Sequence, residues 1–154
     1  MREVKIIFQQ GDGMNRKGSA VWRGGLKDGK GTVSTESGVL SEAQYSFGTR
    51  FENGMGTNPE ELIGAAHAGC FSMALSAQLG NAKLVPESIR TTATVTMEKT
   101  EAGFTVTQVH LDVRAKIPGG TQQSFETAAN NAKANCPISR LLKANITMEA
   151  KLEQ

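Results

Sequence analysis

The sequence predicts an α+β protein, on three observations. Leu62 to Leu79 contains no Asp, Glu, Lys or Arg and reads as one long helix. Ile89, Thr91, Ala93, Val95 and Met97, and then Val109, Leu111, Val113, Ala115 and Ile117, alternate with polar neighbours in the period of two that strands require. Phe125, Ala128, Ala129 and Ala132 return to the i, i+3, i+4, i+7 spacing of a helix. The resulting order is a β-rich segment, a helix, a hairpin, helices and a strand, which is the α+β pattern.

Composition bounds what such a protein does. With 154 residues, 38% hydrophobic and 21% charged, the chain has the material for one folded domain with a real core. Neither internal repeats nor a linker divides it, so residues 14–154 are expected to form a single domain. Residues 1–13 are set apart: Val4, Ile6 and Phe8 alternate as in a strand, but Met14 offers a second start, and the segment reads as an extension or tag-like addition without a function. A net charge of +2 and the lack of any Lys/Arg run give no reason to expect nucleic acid or an anionic membrane as partner. Two cysteines make no disulfide framework, and no signal peptide is legible, so a reducing, cytoplasmic location is expected. With only His67 and His110 and no C-x-x-C, a structural zinc site is not expected.

The elements follow in order. Ala20–Trp22 and Thr32–Thr35 read as strands around the turn signals Gly24-Gly25 and Asp28-Gly29. G-x-x-x-x-G-K at Gly24–Lys30 imitates a phosphate loop but has Gly31 where Ser or Thr must hold magnesium, and a hairpin turn is the reading taken. Residues 45–51, YSFGTRF, are expected to be a short strand. Asn58 caps the long helix, Pro59 takes its first position, and Glu60 and Glu61 suit the positive end of its dipole. Its many small residues and its polar His67 and Gln78 favour a buried central helix over a membrane span. Glu101, Ala102 and Gly103 connect the long hairpin, Pro137 opens a short helix to about Lys143, and Ile146, Met148, Ala150 and Leu152 form the last strand.

Two stretches carry the thiols: HAGCFSMALS with Cys70 and NCPISRLL with Cys136. A lone buried cysteine is usually a small core residue. Cys136 departs from that pattern, because the N-cap position before Pro137 offers free N–H groups and a helix dipole to a thiolate. Cys70 lies roughly 18 Å beyond its own helix start, out of reach of that dipole. A cation from elsewhere must lower its pKa, and Arg50 is the best local candidate, although the residues alone do not select it. His110 is expected to be structural or exposed and His67 to be a satisfied core or interface residue.

The segments TRFENGMGTNPEELIGAAHAGCFSMALS (49–76), GKGTVSTESGVL (29–40) and AKANCPISRLLKANITMEAKL (132–152) resemble the osmotically inducible protein C branch of the OsmC/Ohr family of organic hydroperoxide reductases. The resemblance implies antiparallel sheets wrapped around a long central helix in an intertwined homodimer. It implies that Cys70 is the peroxidatic cysteine, that Cys136 resolves it through a Cys70–Cys136 disulfide, and that Arg50 and Glu60 prepare the thiolate and position the peroxide. It also implies an organic hydroperoxide substrate, a role in oxidative and osmotic stress defence, no bound cofactor, and an external dithiol of the lipoyl type, such as a lipoylated protein, as reductant. The helix-start argument makes Cys136 the more acidic thiol, whereas the resemblance makes Cys70 the attacking one.

Glu60 and Cys70 are about 15 Å apart along a continuous helix and do not meet within it. Two such helices packed antiparallel, crossing closely over Gly64, Ala65, Ala68 and Gly69, bring Glu60 of one chain toward Cys70 of the other. A homodimer with Arg50 and Glu60 serving the partner's thiols is therefore expected. Two other readings remain: a non-catalytic, small-molecule-binding stress protein of the same fold, and a thiol hydrolase pairing Cys70 with His67, which lacks an orienting third group.

Overall fold

A computed structural model describes residues 13–154; the reading of residues 1–13 as an extension falls, but for Gly13, outside them. The chain divides into two compact units, the first ending at Thr57 and the second beginning at Asn58.

The first unit is a three-stranded antiparallel sheet in the order β1 (Gly18–Arg23), β2 (Lys30–Thr35) and β3 (Ala43–Tyr45), followed by the short helix α1 (Phe47–Phe51). The Gly24–Lys30 stretch is the β1–β2 hairpin connection that the turn residues predict. Gly31 stands in register between Trp22 and Tyr45, and a Cβ there would lie 2.6 Å from the Trp22 ring and 2.5 Å from the Tyr45 ring. Only glycine lets the two rings close over the strand, with centroids 5.4 Å apart. The expected strand over residues 45–51 is corrected here. Ser46 accepts a hydrogen bond from the N–H of Thr49 and Thr49 returns one from the N–H of Ser46, a reciprocal cap that turns the chain into α1.

The second unit opens with α2 (Pro59–Asn81), capped by the Asn58 side chain accepting from the N–H of Glu61 at 2.8 Å. The hairpin of β4 (Ser88–Thr100) and β5 (Gly103–Lys116) follows, then α3 (Gln122–Asn135), α4 (Pro137–Leu141) and β6 (Asn145–Glu153). β6 departs from the antiparallel pattern: it runs parallel to β5, as a strand reached by a helical crossover does. The core lies within this unit. Phe71, Leu75 and Leu79 of α2, Val109, Leu111 and Val113 of β5, and Phe125 and Ala129 of α3 are all at 0% exposure, each large apolar side chain contributing roughly 1.5–3 kcal/mol of burial.

By length and composition α2 is apolar enough to cross a membrane. Its expected burial holds for one face only. Gly64, His67, Phe71, Leu75 and Leu79 are buried, whereas Ala66, Gly69, Met73 and Ala77 are exposed. The four small residues expected at one close crossing are also split. A Cβ on Gly64 would lie 3.2 Å from the Ala93 carbonyl oxygen of β4, so that glycine serves the chain's own sheet, while Gly69 faces open space.

Candidate active site

Cys136 is the single residue that ends α3 and starts α4. Its N–H donates to the Ala132 carbonyl at 2.9 Å, closing α3, and its carbonyl accepts from the N–H of Arg140 at 3.0 Å, opening α4. The Pro137 ring suits the first position of α4 because the N–H it lacks has no partner there. This joint folds Cys136 into the core at 0% exposure. Cys70, midway along α2, is half-buried and packs against the same core. Both are free thiols, and Cys70 lies close enough to Cys136 for the two to interact.

The electrostatics of Cys70 are mixed. Burial, the largest influence, raises its pKa above the ordinary thiol value, and the hydrogen bond and charge interaction with Cys136 also favour the protonated form. Against them, the backbone N–H of Ile138, in the first turn of α4, favours the charged form of the Cys70 sulfur and lowers the pKa. The net shift is upward. The sequence assigned the free N–H groups of this helix start to Cys136. The structure gives one to Cys70 instead, and Cys136 makes no side-chain cap bond of its own.

One turn before Cys70, the wholly buried His67 ring places Nε2 2.7 Å from Oγ of Ser139, three residues after Cys136. Burial lowers the His67 pKa, which favours the neutral ring, and its Nδ1 is buried without a hydrogen-bond partner. The reading of His67 as a satisfied core histidine is thus half met. Ser139 was not foreseen, although its offset of three from Cys136 mirrors that of His67 from Cys70. His110 is structural, its Nδ1 lying 2.6 Å from Oγ1 of its β6 neighbour Thr147.

Glu60 sits in the first turn of the unbroken α2, about 15 Å of helix away from Cys70. Arg50 belongs to α1 in the first unit, not to a strand. Its guanidinium lies 5.4 Å over the Phe51 ring, and it borders a cleft of roughly 280 Å³ walled by Trp22, Tyr45, Phe47 and Phe51. These aromatic walls were also missed, since their strands and α1 had to be in place before they shared one surface. Among the four expected site residues, then, the second unit brings Cys70 and Cys136 together, Glu60 stands apart from them along α2, and Arg50 is built into the other unit.

A family model described as OsmC-like protein matches residues 52–151. The chain is 54% identical over 140 residues to peroxiredoxin OsmC of Escherichia coli (strain K12), spanning 91% of this chain and 98% of that protein. It is 30% identical over 100 residues to an organic hydroperoxide resistance protein of Xanthomonas axonopodis pv. citri (strain 306), spanning 64% of this chain and 68% of that one. A solved organic hydroperoxide resistance protein from Legionella pneumophila matches with a TM-score of 0.63 at 27% identity, over 90% of this chain and 97% of the other. An OsmC-like protein from Mycoplasma pneumoniae shares the fold, with a TM-score of 0.73 at 12% identity over 92% and 99% of the two chains.

Proposed function

The chain belongs to the OsmC-like family, and from that premise we propose that it is a two-cysteine peroxidase that reduces organic hydroperoxides in stress defence. The observation that carries this reading is that the Cys70 and Cys136 side chains come together in one unit, close enough that Cys136 helps hold the Cys70 thiol protonated. Cys70 as thiolate attacks one peroxide oxygen, the O–O bond breaks, and the remaining alkoxide takes a proton and leaves as alcohol. Cys70 is now a sulfenic acid. The Cys136 thiol displaces its hydroxyl, releasing water and forming the disulfide. An external dithiol of the lipoyl type then reduces that disulfide by exchange, becoming a cyclic disulfide itself.

Within its own unit Cys70 favours the protonated form, so the attacking thiolate needs a cation. Arg50 serves this role, oriented by Glu60, and also stabilises charge as the O–O bond breaks. The separation of Glu60 from Cys70 along α2 and the uncharged open face of that helix support a homodimer in which Arg50 and Glu60 act on the partner's thiols. The aromatic cleft beside Arg50 suits a bulky apolar hydroperoxide better than hydrogen peroxide.

Mixing fully reduced protein with one equivalent of cumene hydroperoxide tests the reading. The expected result is consumption of the peroxide with loss of both thiols, abolished in Cys70→Ser. In Cys136→Ser, one attack is expected to leave a sulfenic acid that dimedone traps on Cys70. Persistence of both thiols in the unmodified protein overturns the peroxidase reading in favour of a small-molecule-binding protein of this fold.

A further inference from the structure

α2 and α4 meet through two polar pairs set one turn apart: Cys70 with Cys136, and His67 with Ser139. The second pair has no part in the redox chemistry, yet its histidine is wholly buried and its serine partly so. Between its core-packed caps, Cys136 and Leu142, α4 itself is lightly held. It is a helix of 5 residues, none of them fully buried, without a side-chain cap bond at its start; Ile138 packs against the core only in part. A short helix so lightly anchored frays readily, and Cys136 is its N-cap.

We infer that His67 and Ser139 are positioning residues for the resolving step: their hydrogen bond holds the start of α4 on α2, keeping the Cys136 sulfur beside Cys70 once Cys70 has been oxidised. The inference rests on the peroxidase reading and adds a requirement to it. A disulfide needs the sulfurs at about 2.05 Å, with little tolerance in the placement of the two backbones. The sulfenic acid has two fates. Attack by Cys136 releases water and gives the disulfide, whereas reaction with a second hydroperoxide gives the sulfinic acid and an alcohol. The second route is bimolecular and needs no approach of the Cys136 sulfur. The first depends on it wholly. Because the His67 ring has no other hydrogen bond among the described residues, removing the Ser139 hydroxyl releases the tether while leaving the apolar contacts of α4 in place.

The ratio of sulfinic acid to disulfide on Cys70, read by mass spectrometry after treatment with excess cumene hydroperoxide, tests this in the full chain. Ser139→Ala is expected to raise the ratio about fivefold, the factor that one hydrogen bond of ordinary net strength commands. Ser139→Thr, which keeps the hydroxyl, is expected to restore most of the original ratio, a rescue that a loss of packing alone does not give. A Ser139→Ala ratio indistinguishable from that of the unmodified protein overturns the inference, as does a Ser139→Thr ratio equal to that of Ser139→Ala. If the unmodified protein consumes no hydroperoxide, the peroxidase reading itself fails and takes this inference with it, a result distinct from a working peroxidase whose ratio ignores Ser139.

Discussion

Along α2, the face made by Gly64, His67, Phe71, Leu75 and Leu79 is buried at every position, whereas Ala66, Gly69, Met73 and Ala77, half a turn round, are all exposed, Met73 at 78%. Both faces lack charge. A helix that is apolar all round is ordinarily covered all round, and this chain covers only half of α2 with its own sheet and α3. Cys70 stands on the seam between the two faces. The difference teaches that the thiol pair is assembled by one chain, while the ground beside it is left open, the face on which the proposed homodimer would pack.

The largest effect expected from breaking this comparison comes from the buried side. Phe71→Ala is expected to cost about 3–5 kcal/mol in urea unfolding. On the open side, Met73→Asp sharpens the contrast. A single chain would tolerate it within about 0.5 kcal/mol, but the proposed homodimer would have to bury the new carboxylate. A dimer that dissociates in sedimentation experiments and loses peroxidase activity is therefore expected. A protein that sediments as a monomer before the change is made rules the dimer out.

A smaller effect belongs to His67. Burial holds its native pKa below the ordinary imidazole value of 6.5. As pH falls through that value the unfolded chain takes up a proton that the native ring refuses. The stability is fully present above this point and is lost as pH falls toward the native pKa, by at most about 1.4 kcal/mol per pH unit. Unfolding measured across this window in the unmodified protein and in His67→Phe is expected to show the loss only in the former.

The two glycines give the smallest and finest contrast. Gly64→Ala brings a methyl to 3.2 Å from the Ala93 carbonyl oxygen and is expected to cost about 1 kcal/mol despite the better helix former. Gly69→Ala meets nothing within 4 Å in its own chain, so helix propensity alone predicts a gain of up to about 1 kcal/mol. A loss there would mean that another surface covers Gly69.

Much of this was legible from local chemistry. Asn58, Pro59 and Glu61 mark the start of α2 by rules that need no tertiary context, and the alternation of Ile89–Met97 and Val109–Ile117 gave β4 and β5. The thiols were legible as a pair through their flanking motifs. What escaped depended on placement in space. The Ser46–Thr49 cap overrode the aromatic, strand-like look of YSFGTRF. Ile138 was an unremarkable apolar residue until its N–H met a sulfur from another helix. His67 lacked a partner in sequence because Ser139 reaches it only when α4 lies on α2. The N–H groups at the start of α4 act on Cys70 as well, because a donor serves whichever sulfur lies in front of it.

The parallel pairing of β6 with β5 bears on how the molecule comes to exist. β4 and β5 are joined by a tight turn at Thr100–Gly103 and zip together locally, whereas β6 finds its neighbour only after the chain from Lys116 to Asn145 has closed a large loop, a slower event because the entropy of closure precedes any reward. The hairpin is thus set to form early and the C-terminal strand to dock late. Cys136 lies on the crossover from β5 to β6, so its meeting with Cys70 also waits on contacts between parts of the chain far apart in sequence.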